Sequence, residues 1–151
     1  MVESVLFDTS ALVSALLEDH PFHAACFPWL QKALKKEIIG YVSTHTLAEL
    51  YAVLTRMPRK PRLLPDEVET LLGNLINFQK VRLSAEDYAN VIRRLVTLDL
   101  TGGAIYDALI AQAALTEKVD ILLTTNPKDF LRLGKDIAAI VRVPSSDTDD
   151  L

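Results

Sequence analysis

The chain is poor in cysteine and has no long apolar run. Its one cysteine among 151 residues, Cys26, excludes an internal disulfide and a cysteine-based zinc cluster. Cys26 stands among apolar neighbours, and we expect it to be a small buried side chain. No apolar stretch approaches the roughly 20 residues of a membrane-spanning helix. The first residues also lack the basic segment that opens a secretory signal. These absences predict a cytoplasmic protein without a membrane segment.

The chain also has little excess charge of either sign. Lys and Arg number 16 and Asp and Glu number 20, so the net charge is −4, and three of these acids lie in the last eight residues. The chain therefore lacks the basic excess with which proteins grip duplex DNA by charge alone. Any contact with nucleic acid must depend on a local site.

Length and apolar patterning predict a single α/β domain. A chain of 151 residues corresponds to about one domain. We expect residues 1–143 to form it and the acidic tail 144–151 to be frayed. Short apolar runs alternate with segments of helical periodicity, which predicts a mostly parallel sheet with helices on both faces, in three layers. The five predicted strands span residues 4–7, 38–42, 80–83, 120–124 and 137–143.

Capping residues mark the starts of several predicted helices. Ser43 precedes one helix, and Ser84 with Asp87 forms a capping-box pattern before another. Asn126 followed by Pro127 predicts a short helix with Asn126 as its N-cap.

Three acids stand in apolar segments instead of on solvated helix faces. Asp8, Glu49 and Asp107 have no Lys or Arg three or four residues away, so none has a helical ion pair. The predicted topology brings all three to the carboxyl edge of the sheet, where α/β proteins bind ligands. The loop after the fourth strand adds Asp129 at the same edge.

Converging carboxylates repel one another, and a hard divalent cation removes that conflict. All-oxygen ligation suits Mg²⁺ or Mn²⁺, so the pattern predicts a metal site. Structural roles stay open for each acid: Asp8 as a helix N-cap, Glu49 and Asp107 as half-exposed helix acids. Asp129 lies in a first helical turn with Arg132 three residues on, so a capping role is open there as well.

Four motifs around these acids resemble the PIN-domain nucleases, and within them the VapC toxins of toxin–antitoxin pairs. The resemblance runs from about residue 5 to residue 143, in order and spacing. The motifs read FDTSAL at 7–12, TLAEL at 46–50, YDALIA at 106–111 and LTTNPKDF at 123–130.

The resemblance implies a metal-dependent ribonuclease that cleaves single-stranded RNA on a five-stranded parallel sheet. Asp8, Glu49 and Asp107 match the family's metal ligands, and two hydroxyls, of Ser10 and Thr125, match its supporting residues. The family's fourth acid falls in the loop after strand four, where this chain offers neutral Asn126 or, three residues on, Asp129. The resemblance also implies a small VapB-like antitoxin as partner and a homodimer.

Basic side chains near the motifs are candidates for holding RNA by charge, with solvated surface as the alternative. They are Lys128, Arg132, Arg56, Arg59 and Lys60. Two apolar groups favour a homodimer interface, with core packing as the alternative. They are the helical stripe Leu71, Leu72, Leu75 and Ile76 and the cluster Phe22, Phe27 and Trp29.

Other functions fit the sequence less well. A phosphatase of the haloacid-dehalogenase type needs a second Asp two residues after Asp8, where this chain has Ser10. A receiver domain needs paired acids at the end of strand one and a later lysine, and neither is present. A PIN-type nuclease of RNA processing and an inactive domain that binds a basic peptide remain as alternatives.

Overall fold

A computed structural model describes residues 2–145, so most of the tail predicted to be frayed lies outside the described residues. Five strands form one sheet in the order β3-β2-β1-β4-β5, and every neighbouring pair is parallel. The strands are β1 (Ser4–Phe7), β2 (Ile39–Ser43), β3 (Gln79–Val81), β4 (Ile121–Leu123) and β5 (Val141–Arg142). The predicted α/β fold with a parallel sheet is confirmed.

Strand β1 is the centre of the sheet. Leu6 is in register with Tyr41 of β2 on one side and with Leu122 of β4 on the other. The chain builds outward from β1 through β2 and β3, then returns to place β4 and β5 on the opposite side. The strand order thus reverses between β1 and β4, and such a switch point opens a crevice beyond the carboxyl ends of the strands.

Helices cover both faces of the sheet, as predicted. Along β1, Val5 and Phe7 pack into a core with α1 to α4, and Leu6 packs into a second core with α5 to α8, because side chains alternate along a strand. The helices are α1 (Thr9–Leu16), α2 (His23–Leu34), α3 (Thr44–Arg56), α4 (Pro65–Leu72), α5 (Ala85–Leu98), α6 (Ala104–Thr116), α7 (Pro127–Leu131) and α8 (Lys135–Ala138). Among residues 2–145, no helix has both the length and the apolar character needed to cross a bilayer.

Most of the apolar side chains predicted as a dimer surface belong to the core instead. Trp29 and Leu75 are buried, and Phe27, Leu71 and Leu72 pack partly against the core on the α1–α4 face. Two members of those groups remain exposed, Phe22 at 54% and Ile76 at 77%.

Cys26 belongs to the same core as Trp29, and burial raises the pKa of its thiol to about 11. The expectation of a small buried side chain is confirmed.

The fifth strand is shorter than predicted. Ile137 lies in α8, and β5 comprises only Val141–Arg142. The run around Ile137 and Ile140 has the composition of a strand, but a bond from the Ala138 amide to the Gly134 carbonyl, 2.9 Å, closes a helical turn. This turn places the Ile137 side chain in the core on the α5–α8 face, so tertiary packing overrides the local β propensity.

Candidate active site

The four acids that the sequence singles out line one crevice at the carboxyl edge of the sheet. The crevice has a volume of about 400 Å³, and Asp8, Glu49, Asp107 and Asp129 all contribute to its wall. Its other lining residues are Thr9, Ser10, Val13, Ser14, His20, Phe22, Val53, Thr125 and Asn126. The predicted convergence of carboxylates from distant parts of the chain is therefore present in the structure.

Asp8 is the most firmly held of the four acids. It follows β1 directly and is the N-cap of α1, with only 5% of its surface exposed. One carboxylate oxygen accepts the Thr9 amide hydrogen at 2.7 Å, and the other accepts the hydroxyls of Ser10 and Thr124, both at 2.8 Å. Burial raises the pKa of Asp8, and the three hydrogen bonds act against that rise. The N-cap role and a place in the site therefore coexist in one residue.

Glu49 projects into the crevice from the second turn of α3. Its Oε1 accepts a hydrogen bond from the Thr9 hydroxyl. Its Oε2 lies 3.8 Å from Nε2 of His45, one turn earlier on the same helix. With a third of its side-chain surface exposed, Glu49 can reach solvent in the crevice.

Asp107 is the acid with the strongest electrostatic conflict. It lies in the first turn of α6, where burial and then the charges of Asp129 and Asp8 raise its pKa to about 7. The Arg132 guanidinium is 3.9 Å from its Oδ2 and offsets only part of this rise. The crevice therefore holds more negative charge than its own residues neutralise.

Asp129 has a different structural setting from the one the sequence suggested. Arg132 directs its guanidinium to Asp107, and only its Nε approaches the backbone carbonyl of Asp129, at 3.5 Å. Asp129 lies in the first turn of α7, where the sequence placed it, but no hydrogen bond to its carboxylate is found within residues 2–145. Asp129 is instead close enough to Asp107 to raise its pKa.

The loop after β4 supplies a supporting hydroxyl at Thr124 instead of Thr125. The buried Thr124 hydroxyl donates to Asp8, and Thr125 contributes its backbone amide, which donates to Ser10 Oγ at 3.1 Å. Ser10 has the supporting position that was expected, because it connects Asp8 to this loop. Asn126 lines the crevice and is the N-cap residue of α7, as predicted, although its side chain forms no cap bond to that helix.

Residues 5–136 match the PIN domain as a sequence family. The chain belongs to the PIN-domain family. It is 36% identical over 114 residues to the Mycobacterium tuberculosis protein named Ribonuclease VapC27. The aligned region covers 76% of this chain and 79% of that protein. It is 34% identical over 107 residues to Ribonuclease VapC40 of the same species, covering 71% of this chain and 75% of that protein.

Solved structures share the fold of this PIN domain. The crystal structure of VapBC2 from Rickettsia felis, bound to a DNA fragment from their promoter, contains a chain with a TM-score of 0.67 and 23% identity, covering 94% of this chain and 99% of that one. PAE2754 from Pyrobaculum aerophilum has a TM-score of 0.60 at 20% identity, covering 93% and 83%.

The five basic residues predicted as RNA contacts fall into two groups. Lys128 and Arg132 lie on or just after α7, beside the crevice, and both are exposed. Arg56, Arg59 and Lys60 lie at or beyond the end of α3 that is remote from the sheet edge, and Arg59 is paired with Asp19 at 3.0 Å. The structure thus brings only the first group to the acids.

Several lining residues of the PIN-domain crevice were missed from the sequence. The role of Thr9 carries no local signal, because its partner Glu49 is 40 residues away. His20 and Phe22 lie in the segment between α1 and α2, which reads as an ordinary loop around Pro21.

The donor set of the PIN-domain crevice fits a hard divalent cation. Four carboxylates, together with the hydroxyls of the lining serine and threonine residues, offer the oxygen ligands that Mg²⁺ and Mn²⁺ prefer. Burial and then the charges of Asp129 and Asp8 raise the pKa of Asp107, and a bound cation would favour its ionised form. Across residues 2–145, no three acidic, histidine or cysteine side chains are yet grouped tightly enough to hold an ion. The Glu49 carboxylate contacts Thr9 through one oxygen and approaches His45 with the other.

Proposed function

We propose that this PIN domain is a Mg²⁺- or Mn²⁺-dependent endoribonuclease that cleaves single-stranded RNA, and that it is the toxin of a toxin–antitoxin pair. The observation that carries the proposal is the convergence of Asp8, Glu49, Asp107 and Asp129 on one crevice. The relatives named ribonucleases, at 34–36% identity over about three quarters of the chain, support the same reaction.

Asp8, Glu49 and Asp107 would hold the metal ion, with Asp129 as a fourth ligand or as the holder of a second ion. Bound there, the ion would lower the pKa of a water molecule and neutralise charge that develops on the phosphate. Asp8 is pre-organised for this role, because three donors fix both of its oxygens. Preorganised ligands bind without a further entropic cost of ordering.

The other residues of the crevice position the acids and the RNA. The Ser10 hydroxyl donates to Asp8, so it acts as a support and not as a nucleophile. Arg132, at 3.9 Å from Asp107, supplies positive charge at the rim where an RNA phosphate would approach, and Lys128 adds to it. Attack of a water molecule on the phosphorus, with the bond to the 3′-oxygen breaking and that oxygen taking up a proton, would leave a 3′-hydroxyl and a 5′-phosphate.

The test is cleavage of a fluorescently labelled single-stranded RNA pool. We expect EDTA to abolish cleavage, Mg²⁺ or Mn²⁺ to restore it, and Asp107→Asn, which removes no accepted hydrogen bond within residues 2–145, to reduce it by orders of magnitude while the chain stays folded. Cleavage that persists in EDTA after rigorous purification would overturn the metal mechanism. Binding of a basic peptide without any cleavage of RNA would favour the alternative of an inactive domain.

The toxin role requires an antitoxin partner. The structures of similar fold include VapBC complexes from Rickettsia felis and Salmonella typhimurium, in which the relative is combined with a VapB protein. Expression of this chain alone should arrest growth, and co-expression of a small protein encoded beside it should restore growth. Normal growth with active enzyme would favour a nuclease of RNA processing.

A homodimer is part of the proposal. The supporting observation is a row of exposed apolar side chains along one face of α5, formed by Tyr88, Ile92 and Val96 at four-residue spacing. Light scattering at tens of micromolar should report twice the chain mass, and Val96→Asp should halve it. A monomeric mass for the unmodified chain would contradict this part of the proposal.

A further inference from the structure

A large apolar side chain stands in the otherwise acidic crevice. Phe22 lines the same cavity as Asp8, Glu49, Asp107 and Asp129. It is 54% exposed and belongs to neither hydrophobic core. Exposing an aromatic ring costs free energy that burial would recover, so a ring kept in a functional crevice invites a partner with an apolar face.

The backbone holds Phe22 in place independently of its side chain. Its carbonyl oxygen accepts the amides of Ala25 and Cys26, at 3.2 and 3.1 Å, in the first turn of α2. Its amide donates to Nδ1 of His20 at 3.0 Å, and the His20 amide donates to the Leu17 carbonyl at 3.1 Å. The ring is therefore presented to the crevice by a fixed turn and not by packing of the ring itself.

His20 extends this aromatic surface. The two ring centroids are 5.7 Å apart with their planes inclined by 46°. Because Nδ1 accepts the Phe22 amide hydrogen, the neutral imidazole carries its proton on Nε2. The pair thus offers an apolar ring face together with a hydrogen-bond donor.

Among the components of RNA, the nucleobase matches this surface. A phosphate has no apolar face with which to cover the Phe22 ring, whereas a base is uncharged, has an apolar face and carries acceptors on its edge. Aromatic side chains bind single-stranded nucleic acid by stacking on successive bases. A peptide partner with basic side chains would be drawn to the carboxylates and would gain little from the ring.

We propose that Phe22, assisted by His20, is a nucleobase-stacking subsite for the RNA nucleotide next to the cleaved phosphate. The proposal rests on the proposed ribonuclease function, since it names a second contact of the same substrate in the same crevice. Stacking contributes equally before and during the chemical step, so the subsite sets KM and leaves kcat unchanged.

The first test is steady-state cleavage of a 12-nucleotide RNA pool in Mg²⁺ by the wild-type chain and by Phe22→Leu, which keeps an apolar side chain but removes the ring. We expect KM to rise about 5- to 100-fold, as loss of one base stack implies, with kcat within about threefold. Phe22→Trp should keep the wild-type KM. Tyr51→Leu is the matched control, because Tyr51 is a 45% exposed aromatic side chain outside the crevice. An unchanged KM for Phe22→Leu, or an equal rise for Tyr51→Leu, would overturn the proposal.

The second test does not depend on cleavage. Single-stranded RNA containing 2-aminopurine at each position in turn is titrated with protein, and its fluorescence is followed. We expect quenching at one position by the wild-type chain and its loss with Phe22→Leu. Failure of the wild-type chain to cleave RNA would refute the proposed function, while this titration would still decide the subsite. Equal quenching by both proteins, or a fall in mass of a dimer on Phe22→Leu, would assign the ring to another role and overturn the proposal.

Discussion

Replacing Asp107 with asparagine tests two effects of the crowded carboxylates separately: their effect on the stability of the fold and their role in cleavage. The change keeps the shape of the side chain and removes one charge from the crevice. Burial and the neighbouring Asp129 and Asp8 hold the pKa of Asp107 at about 7 instead of 3.8, which corresponds to on the order of 4 kcal/mol against its charged form. Solvent reaches 28% of the side chain, so we reduce this value to about 2–3 kcal/mol. This value already includes the favourable charge of Arg132, which lowers the pKa of Asp107.

The raised pKa of Asp107 determines the pH range over which the stability of the metal-free chain changes. A carboxyl group with a raised pKa binds more protons folded than unfolded, so the wild-type chain without metal loses stability as pH rises from about 4 to about 7. Asp107→Asn lacks this loss. We expect the variant to unfold with a free energy about 2–3 kcal/mol larger than that of the wild type at pH 8, and with nearly the same free energy at pH 4.

Denaturant unfolding in EDTA at the two pH values measures this difference directly. At pH 8, added Mg²⁺ should stabilise the wild-type chain, because it binds only the folded state, and should leave the variant nearly unaffected. Cleavage by the variant should fall by orders of magnitude. A variant that is less stable at pH 8 and cleaves RNA normally would show that Asp107 is a structural acid and that the site assignment is wrong.

Three further substitutions test single contacts. Asp129→Asn should lower the pKa of Asp107, seen as a shift of the pH-dependent melting to lower pH, and should reduce cleavage less than Asp107→Asn does. Thr124→Val removes a donor from buried Asp8 and should cost about 1.5–3 kcal/mol in denaturant unfolding, whereas Thr124→Ser should cost far less. Gly40→Ala places a Cβ 2.8 Å from the buried Phe78 ring and should destabilise the fold by about 1–3 kcal/mol. Gly73→Ala is its control, since open space surrounds Gly73, and equal losses at both sites would refute the steric argument.

Local patterns predicted the elements well where short-range chemistry decides them. Ser43 accepts the Thr46 amide hydrogen, and Ser84 with Asp87 forms the expected capping box, because each bond joins residues three apart. The meeting of the acids was also predictable, since parallel strands send their carboxyl ends to one edge.

Contacts between distant segments were beyond the reach of such patterns. Whether Thr124 or Thr125 supports Asp8 depends on how β4 pairs with β1, across 116 residues of sequence. Arg132 is three residues from Asp129 but pairs with Asp107, because α6 and α7 pack together. From the sequence, Phe22 was predicted to belong to a dimer interface. Only the fold shows that it lines the acidic crevice.

The hydrogen bond between Asp8 and Thr124 links the beginning of the chain to its last quarter. During synthesis, Asp8 and Glu49 leave the ribosome long before the strand that completes the crevice exists. A chain truncated before β4 holds neither Thr124 nor Asp129 and exposes one edge of β1. Assembly of the crevice is thus a late event in translation, and a fragment released before β4 is synthesised carries no complete site.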